Sequence, residues 1–185
     1  MMKLRLVLIS LLISTNFMAQ DNTKLPYAEI PDHAENYTAG TVASRMVDGL
    51  GFRYYWATEG LRPEDLAYKP SDSGRTSAET IDHIFGLSNF ILKSILKDFK
   101  QKNGEDMRFE EKRKQTLLNF KMASDILSAT EDLSKFDNHK YPFWNLINGP
   151  IADALWHCGQ VVLLRRASGN PFNSKASVFW GKLKD

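Results

Sequence analysis

The sequence has almost no cysteine: Cys158 is the only one in 185 residues. A chain with one cysteine forms no internal disulfide. Its length makes one unnecessary, because 185 residues suit one domain with a sizeable core. No run of ~20 apolar residues appears, which a bilayer-spanning helix would need. No stretch alternates apolar and polar residues for long, so strands do not dominate. There is no internal repeat and no low-complexity tract. Excess charge of one sign is also missing: 24 Lys and Arg face 22 Asp and Glu. What is present is an ordinary globular balance, 43% hydrophobic and 25% charged.

The first twenty residues stand apart. Met1 to Arg5 is short and basic, Leu6 to Phe17 is mostly apolar, and Met18-Ala19-Gln20 precedes the polar Asp21-Asn22-Thr23. That order reads as a secretory signal peptide, residues 1–20, and predicts an exported protein, periplasmic or secreted. Cleavage would remove Lys3 and Arg5 and no acid, leaving 22 basic against 22 acidic residues. A neutral mature chain offers no electrostatic case for nucleic acid or for an anionic membrane.

Residues 21–37, with Pro26 and Pro31, read as an extended lead-in. Residues 38–185 read as the folded body with a carboxy-terminal tail. A first helix is expected from about Ala39 to Gly60, with Val42, Met46, Leu50 and Tyr54 at helical spacing. Thr76-Ser77-Ala78-Glu79 fits a capping box opening a second helix. Ile81, Ile84, Phe85, Leu92, Ile95 and Leu96 form its apolar side, and Asp82, Asn89 and Lys93 its wet side. A third helix runs from about Phe109 to Ala129 on Leu117, Phe120, Ala123 or Ser124, and Leu127. Residues 130–149 form a long connection. A fourth helix begins with Pro150 at its first position and stops near Ser168, before Gly169 and Pro171. Four amphipathic helices predict an all-α helical bundle.

On a wheel of 100° per residue, Asp153, His157, Gln160 and Leu164 share one narrow face of that otherwise apolar fourth helix. Two readings stand. The stripe faces water, with the acid favoured by the helix dipole. Alternatively it points into the bundle and Asp153 and His157 bind a metal, since residues four apart project side by side. A third ligand would come from another helix. His33 and His139 lie in polar segments and read as surface residues. His83 lies beside Leu87 and Phe90 on the second helix, as a core-edge histidine or as that ligand. Cys158 reads as a small core residue.

The segments GRTSAETIDHIFGL (from Gly74) and WNLINGPIADALWHCGQVVLLRRASGNP (from Trp144) resemble the DinB superfamily of metalloenzymes. The resemblance runs from about Thr38 to Pro171. It is most specific where His157-Cys158-Gly159-Gln160 leads to Leu164-Arg165-Arg166 and the Gly169-Asn170-Pro171 stop. It implies an up-down-down-up four-helix bundle, commonly a homodimer. It also implies a divalent metal held by a histidine of the second helix and a histidine pair four apart on the fourth. By position these are His83, Asp153 and His157, with an aspartate where the family has a histidine. A carboxylate remains a competent ligand, for zinc or nickel and also for iron or manganese.

The resemblance implies a metal-dependent hydrolase or a thiol-dependent transferase acting on a small molecule. Export argues against the transferase, whose thiol cofactors are mainly cytoplasmic. Gln160 would orient a ligand or substrate, and Trp56 and Trp144 would line the pocket. Glu59 and Asp48, on the neighbouring first helix, are candidates for a general base. The competing expectation is a non-catalytic metal- or ligand-binding bundle, kept open by the aspartate and by the lack of an obvious base. Nucleic acid binding, which the family's DNA-damage name suggests, has no support in a neutral chain.

Overall fold

Thr38 opens the first long helix. Its hydroxyl accepts from the Thr41 amide at 3.1 Å, and Thr41 Oγ1 accepts from the Thr38 amide at 2.8 Å. That reciprocal cap satisfies two amides that a helix start leaves unpaired, and α1 spans Ala39–Thr58. The computed structural model describes residues 24–185, so the segment read as a signal peptide lies outside the described residues. The lead-in is less open than its composition suggests. Tyr27 is buried, packs against Gly51, and donates its hydroxyl to Asp48 Oδ1 at 3.0 Å. A Cβ at residue 51 would fall 2.4 Å from the Tyr27 ring, so only glycine lets the lead-in lie this close.

A short α2, Pro63–Ala67, precedes α3, Ser77–Ile95. The capping box at Thr76 is formed as expected: Glu79 N–H donates to Thr76 Oγ1 at 3.1 Å, and the Thr76 amide to Glu79 Oε2 at 2.7 Å. Next come α4, Phe109–Ser128, a tight turn at Leu133–Phe136, α5, Trp144–Leu146, and α6, Ala152–Ala167. The architecture is therefore mainly helical, as expected. Among the described residues the exception is a small antiparallel hairpin pairing Ala176–Ser177 with Lys182–Leu183. No helix of the described residues is long and apolar enough to cross a membrane.

The long helices pack in a cycle: α1 against α4 and α6, and α3 against α4 and α6. Val47, Leu50 and Tyr54, Ile84 and Leu92, Leu117 and Phe120, and Ala154 and Val161 meet in one core. Two buried arginines close one end. Arg165 donates to the carbonyls of Trp56, Ala57 and Glu59, and Arg113 to Tyr55 O and Thr58 Oγ1. Arg165 thereby satisfies carbonyls that the end of α1 leaves free, and Arg113 braces the same turn.

Two readings of the sequence need correction. Val42 and Met46 are exposed, and the buried stripe of α1 runs instead through Ala43, Val47, Leu50, Tyr54 and Ala57. Asn89 is buried, because Asn119 Nδ2 on α4 donates to its Oδ1 at 2.9 Å. Pro150 opens the last helix as expected: Gly149 breaks the helical path at φ −90°, ψ −109°, and the chain is helical again from Pro150 into α6. Proline fits there because its missing N–H would be unpaired at a helix start.

Candidate metal centre

The packing of α3 on α6 sets the geometry of the site. His83 lies in the second turn of α3. Asp153 and His157, four residues apart, lie in the first two turns of α6. Their side chains meet across the helix interface. His83 Nε2 is 3.2 Å from Asp153 Oδ2, and His157 Nε2 is 3.3 Å from Asp153 Oδ1. The two imidazoles stand nearly perpendicular, 87° apart, with centroids 4.6 Å from one another. One ligand atom from each residue lies within 4.8 Å of the others, so the three can hold a metal ion.

Gln160 sharpens this. Its Oε1 is 2.7 Å from His157 Nδ1. An amide oxygen only accepts, so Nδ1 carries the proton. In a neutral imidazole the Nε2 lone pair then faces the Asp153 carboxylate. Two electron-rich atoms at that distance call for a cation between or beside them, a second proton or a metal ion. A histidine whose other nitrogen donates to an amide or carboxylate oxygen is the usual form of a metal-bound histidine. Two imidazole nitrogens and a carboxylate oxygen suit zinc, nickel, iron or manganese.

The centre is open on one side. His157 is mostly covered, at 13% side-chain exposure, while His83 and Asp153 are exposed to 39% and 42%. Beside Asp153 lies a cleft of about 480 Å³ walled by Leu87, Phe90, Gly149, Pro150 and Trp156. The kink at Gly149 and Pro150 forms part of that wall, so the break before α6 shapes the ground next to the donors. The three candidate donors stand on one side, and the other is left to solvent or a small molecule.

The remaining sequence-predicted residues lie elsewhere. Trp56 donates its indole N–H to Ala28 O at 3.1 Å and lines a different slot, with Leu155 and Val162. Trp144 is 75% exposed at the start of α5 and is not among the residues walling the cleft. Phe90 and Trp156 take the part expected of them. Trp156 was legible as the neighbour of His157 on the edge of the polar stripe, and Phe90 as the residue two turns beyond His83. Neither candidate base reaches the donors. Glu59 is ion-paired with Arg113. Asp48 is buried on the α4 side of α1 and accepts from Tyr27 and from Ser124 Oγ at 2.6 Å; burial raises its pKa. His33 and His139 are exposed. Cys158 is a free, buried thiol, and burial pushes its pKa up to about 12, as befits an inert core residue.

Compared with models of protein families, with curated proteins and with solved structures, the chain matches none.

Proposed function

We propose that this chain is a DinB-type metal-binding protein that holds a divalent transition metal, zinc or nickel first, through His83, Asp153 and His157. The observation that carries the proposal is the convergence of both Nε2 atoms on one carboxylate, with Gln160 fixing the proton on the far side of His157. The helix contacts support a four-helix bundle of up-down-down-up order. Lys112, early in α4, reaches Asp82, early in α3, at 2.7 Å, so those helices run together. Arg165, late in α6, reaches the end of α1, so those two run together as well. Export and homodimer formation belong to the same reading and rest on the sequence and its family resemblance.

The chemistry follows from the donor set. A divalent ion bound there supplies Lewis acidity and a water of lowered pKa. The residues of this chain do the rest. His83 and His157 give neutral nitrogen donors, Asp153 adds negative charge, and Gln160 keeps the His157 ring turned. Leu87, Phe90 and Trp156 offer an apolar wall to the body of a small substrate. This favours a hydrolase acting on a small molecule over a thiol-dependent transferase, since export takes the chain away from the cytoplasmic thiols. One observation favours a non-catalytic reading: Asp153 is the only ionisable residue walling the described cleft, so no separate general base stands there.

Elemental analysis of the purified mature protein tests the proposal. About one equivalent of transition metal per chain is expected, lost in His83→Ala and in Asp153→Ala and kept in His139→Ala. Failure to take up metal after reconstitution would overturn it. Equal retention by Asp153→Ala and His139→Ala would show that the ligand set is wrong. A screen of ester, amide and thiol-transfer substrates then separates the enzyme from the binding module.

A further inference from the structure

On the far side of α6 from the candidate metal centre, a second concavity lies between α1, α6 and the carboxy-terminal hairpin. It is a slot of about 280 Å³. Phe52, Trp56, Leu155, Val162 and Val178 give it apolar walls. Gly159 forms part of its lining, and a Cβ built there would meet nothing within 4 Å. At 100° per residue, Gly159 sits about 200° round the helix from His157, so the two sites do not share a face.

Two arginines, Arg53 and Arg166, also line this slot. Among the described residues neither is ion-paired. Arg53 donates one N–H to Gly49 O at 2.9 Å, and Arg166 stacks over the Phe172 ring at 5.3 Å. Each therefore has donors left over. Of the other arginines among the described residues, Arg62, Arg108 and Arg113 pair with acids, while Arg45, Arg75 and Arg165 do not. Two cations without acids, set against an otherwise apolar hollow, match a ligand with an apolar body and an anionic end. Guanidinium is the side chain best suited to a carboxylate, since its N–H groups fork onto both oxygens. The volume lies just below the range usual for drug-sized ligands, which points to a small one.

We propose that this slot binds a small amphiphilic carboxylate, its chain against Phe52, Trp56 and Val162 and its carboxylate on Arg53 and Arg166. The site is independent of the metal centre.

Titration calorimetry of the mature protein with octanoate, and with 1-octanol as its uncharged counterpart, is the test. Octanoate is expected to bind saturably at one site per chain, about tenfold tighter than octanol, as a charge-assisted pair warrants. The double variant Arg53→Gln, Arg166→Gln should bring octanoate down to the affinity of octanol. Gly159→Leu should fill the slot and abolish both, with a melting midpoint no lower than that of the parent, because leucine favours helix over glycine. His83→Ala should leave octanoate binding unchanged, which separates this slot from carboxylate ligation at the metal centre. Three results would each overturn the proposal: no saturable octanoate binding, equal affinity for octanol, or full affinity retained in Gly159→Leu.

Discussion

At the residue scale, Gln160 decides how His157 behaves. Its oxygen lies 2.7 Å from Nδ1, accepts the N–H there, and so leaves the Nε2 lone pair free to ligate. Replacing such an orienting partner typically weakens metal affinity by about 10–100-fold. Gln160→Leu is therefore expected to bind one metal per chain with affinity lowered in that range, measured by competition with a chromophoric chelator. Gln160→Glu, which still accepts from Nδ1, should hold metal at least as tightly as the parent. Unchanged affinity in Gln160→Leu would mean that the His157–Gln160 contact plays no part in binding. This contact was readable in the sequence, because residues three apart on a helix are neighbours. The roles given to Glu59 and Asp48 were not earned in the same way. Both were placed only by lying on a nearby helix, and helix membership says nothing about which face a side chain takes or which partner it meets.

At the scale of the elements, Arg165 joins two helices. It is buried, and its donors satisfy three carbonyls at the end of α1 and the carbonyl of Asn170. Arg165→Met keeps much of the volume but leaves those carbonyls without donors. A loss of about 3 kcal/mol is expected from several bonds to a charged group. In a chain of this length it should lower the melting midpoint by roughly 6–12 °C. Metal content of the folded variant should be unchanged, because the donors lie at the other end of α6. The partner lies more than a hundred residues away and leaves no local mark in the sequence. Asn89 was misread as wet for the same reason, its partner Asn119 being on another helix. Pro150 was legible, because a helix start leaves that N–H position unpaired and the chain is helical from there on. The helices themselves were legible from apolar spacing and, for α3, from the Thr76–Glu79 box, and the Asp153–His157 pair from its four-residue spacing.

At the scale of the whole molecule, two buried carboxylates set opposite pH dependences. Asp65 accepts from the Arg62 guanidinium and amide and from Ser168 and Asn170, which ties α2 to the end of α6. Those bonds, the Arg62 pair foremost, hold its pKa well below the usual carboxylate range. The fold therefore binds its proton less tightly than the unfolded chain does. Its contribution to stability is present above the ordinary aspartate pKa of about 3.9 and is lost as pH falls below it. Asp48 is the reverse. Burial raises its pKa against the bonds from Ser124 and Tyr27 and the charges of Arg45 and Lys121, so the fold prefers its protonated form. Its contribution is fully present below the ordinary carboxylate pKa and is lost as pH rises from there through the raised value. Urea unfolding from pH 3 to pH 8 separates the two. Asp65→Asn should be destabilised at neutral pH, with a deficit that shrinks below about pH 4 as proton uptake by Asp65 in the unfolded chain erodes the parent's advantage. Asp48→Asn, whose amide oxygen still accepts from Tyr27 and Ser124, should compare best with the parent at pH 8, with its advantage fading toward pH 4. A deficit in Asp65→Asn that grows with acid would mean that Asp65 is not the charged anchor between α2 and α6. An Asp48→Asn difference that is flat across the range would mean that burial does not govern Asp48, and that the lead-in held by Tyr27 rests on packing alone.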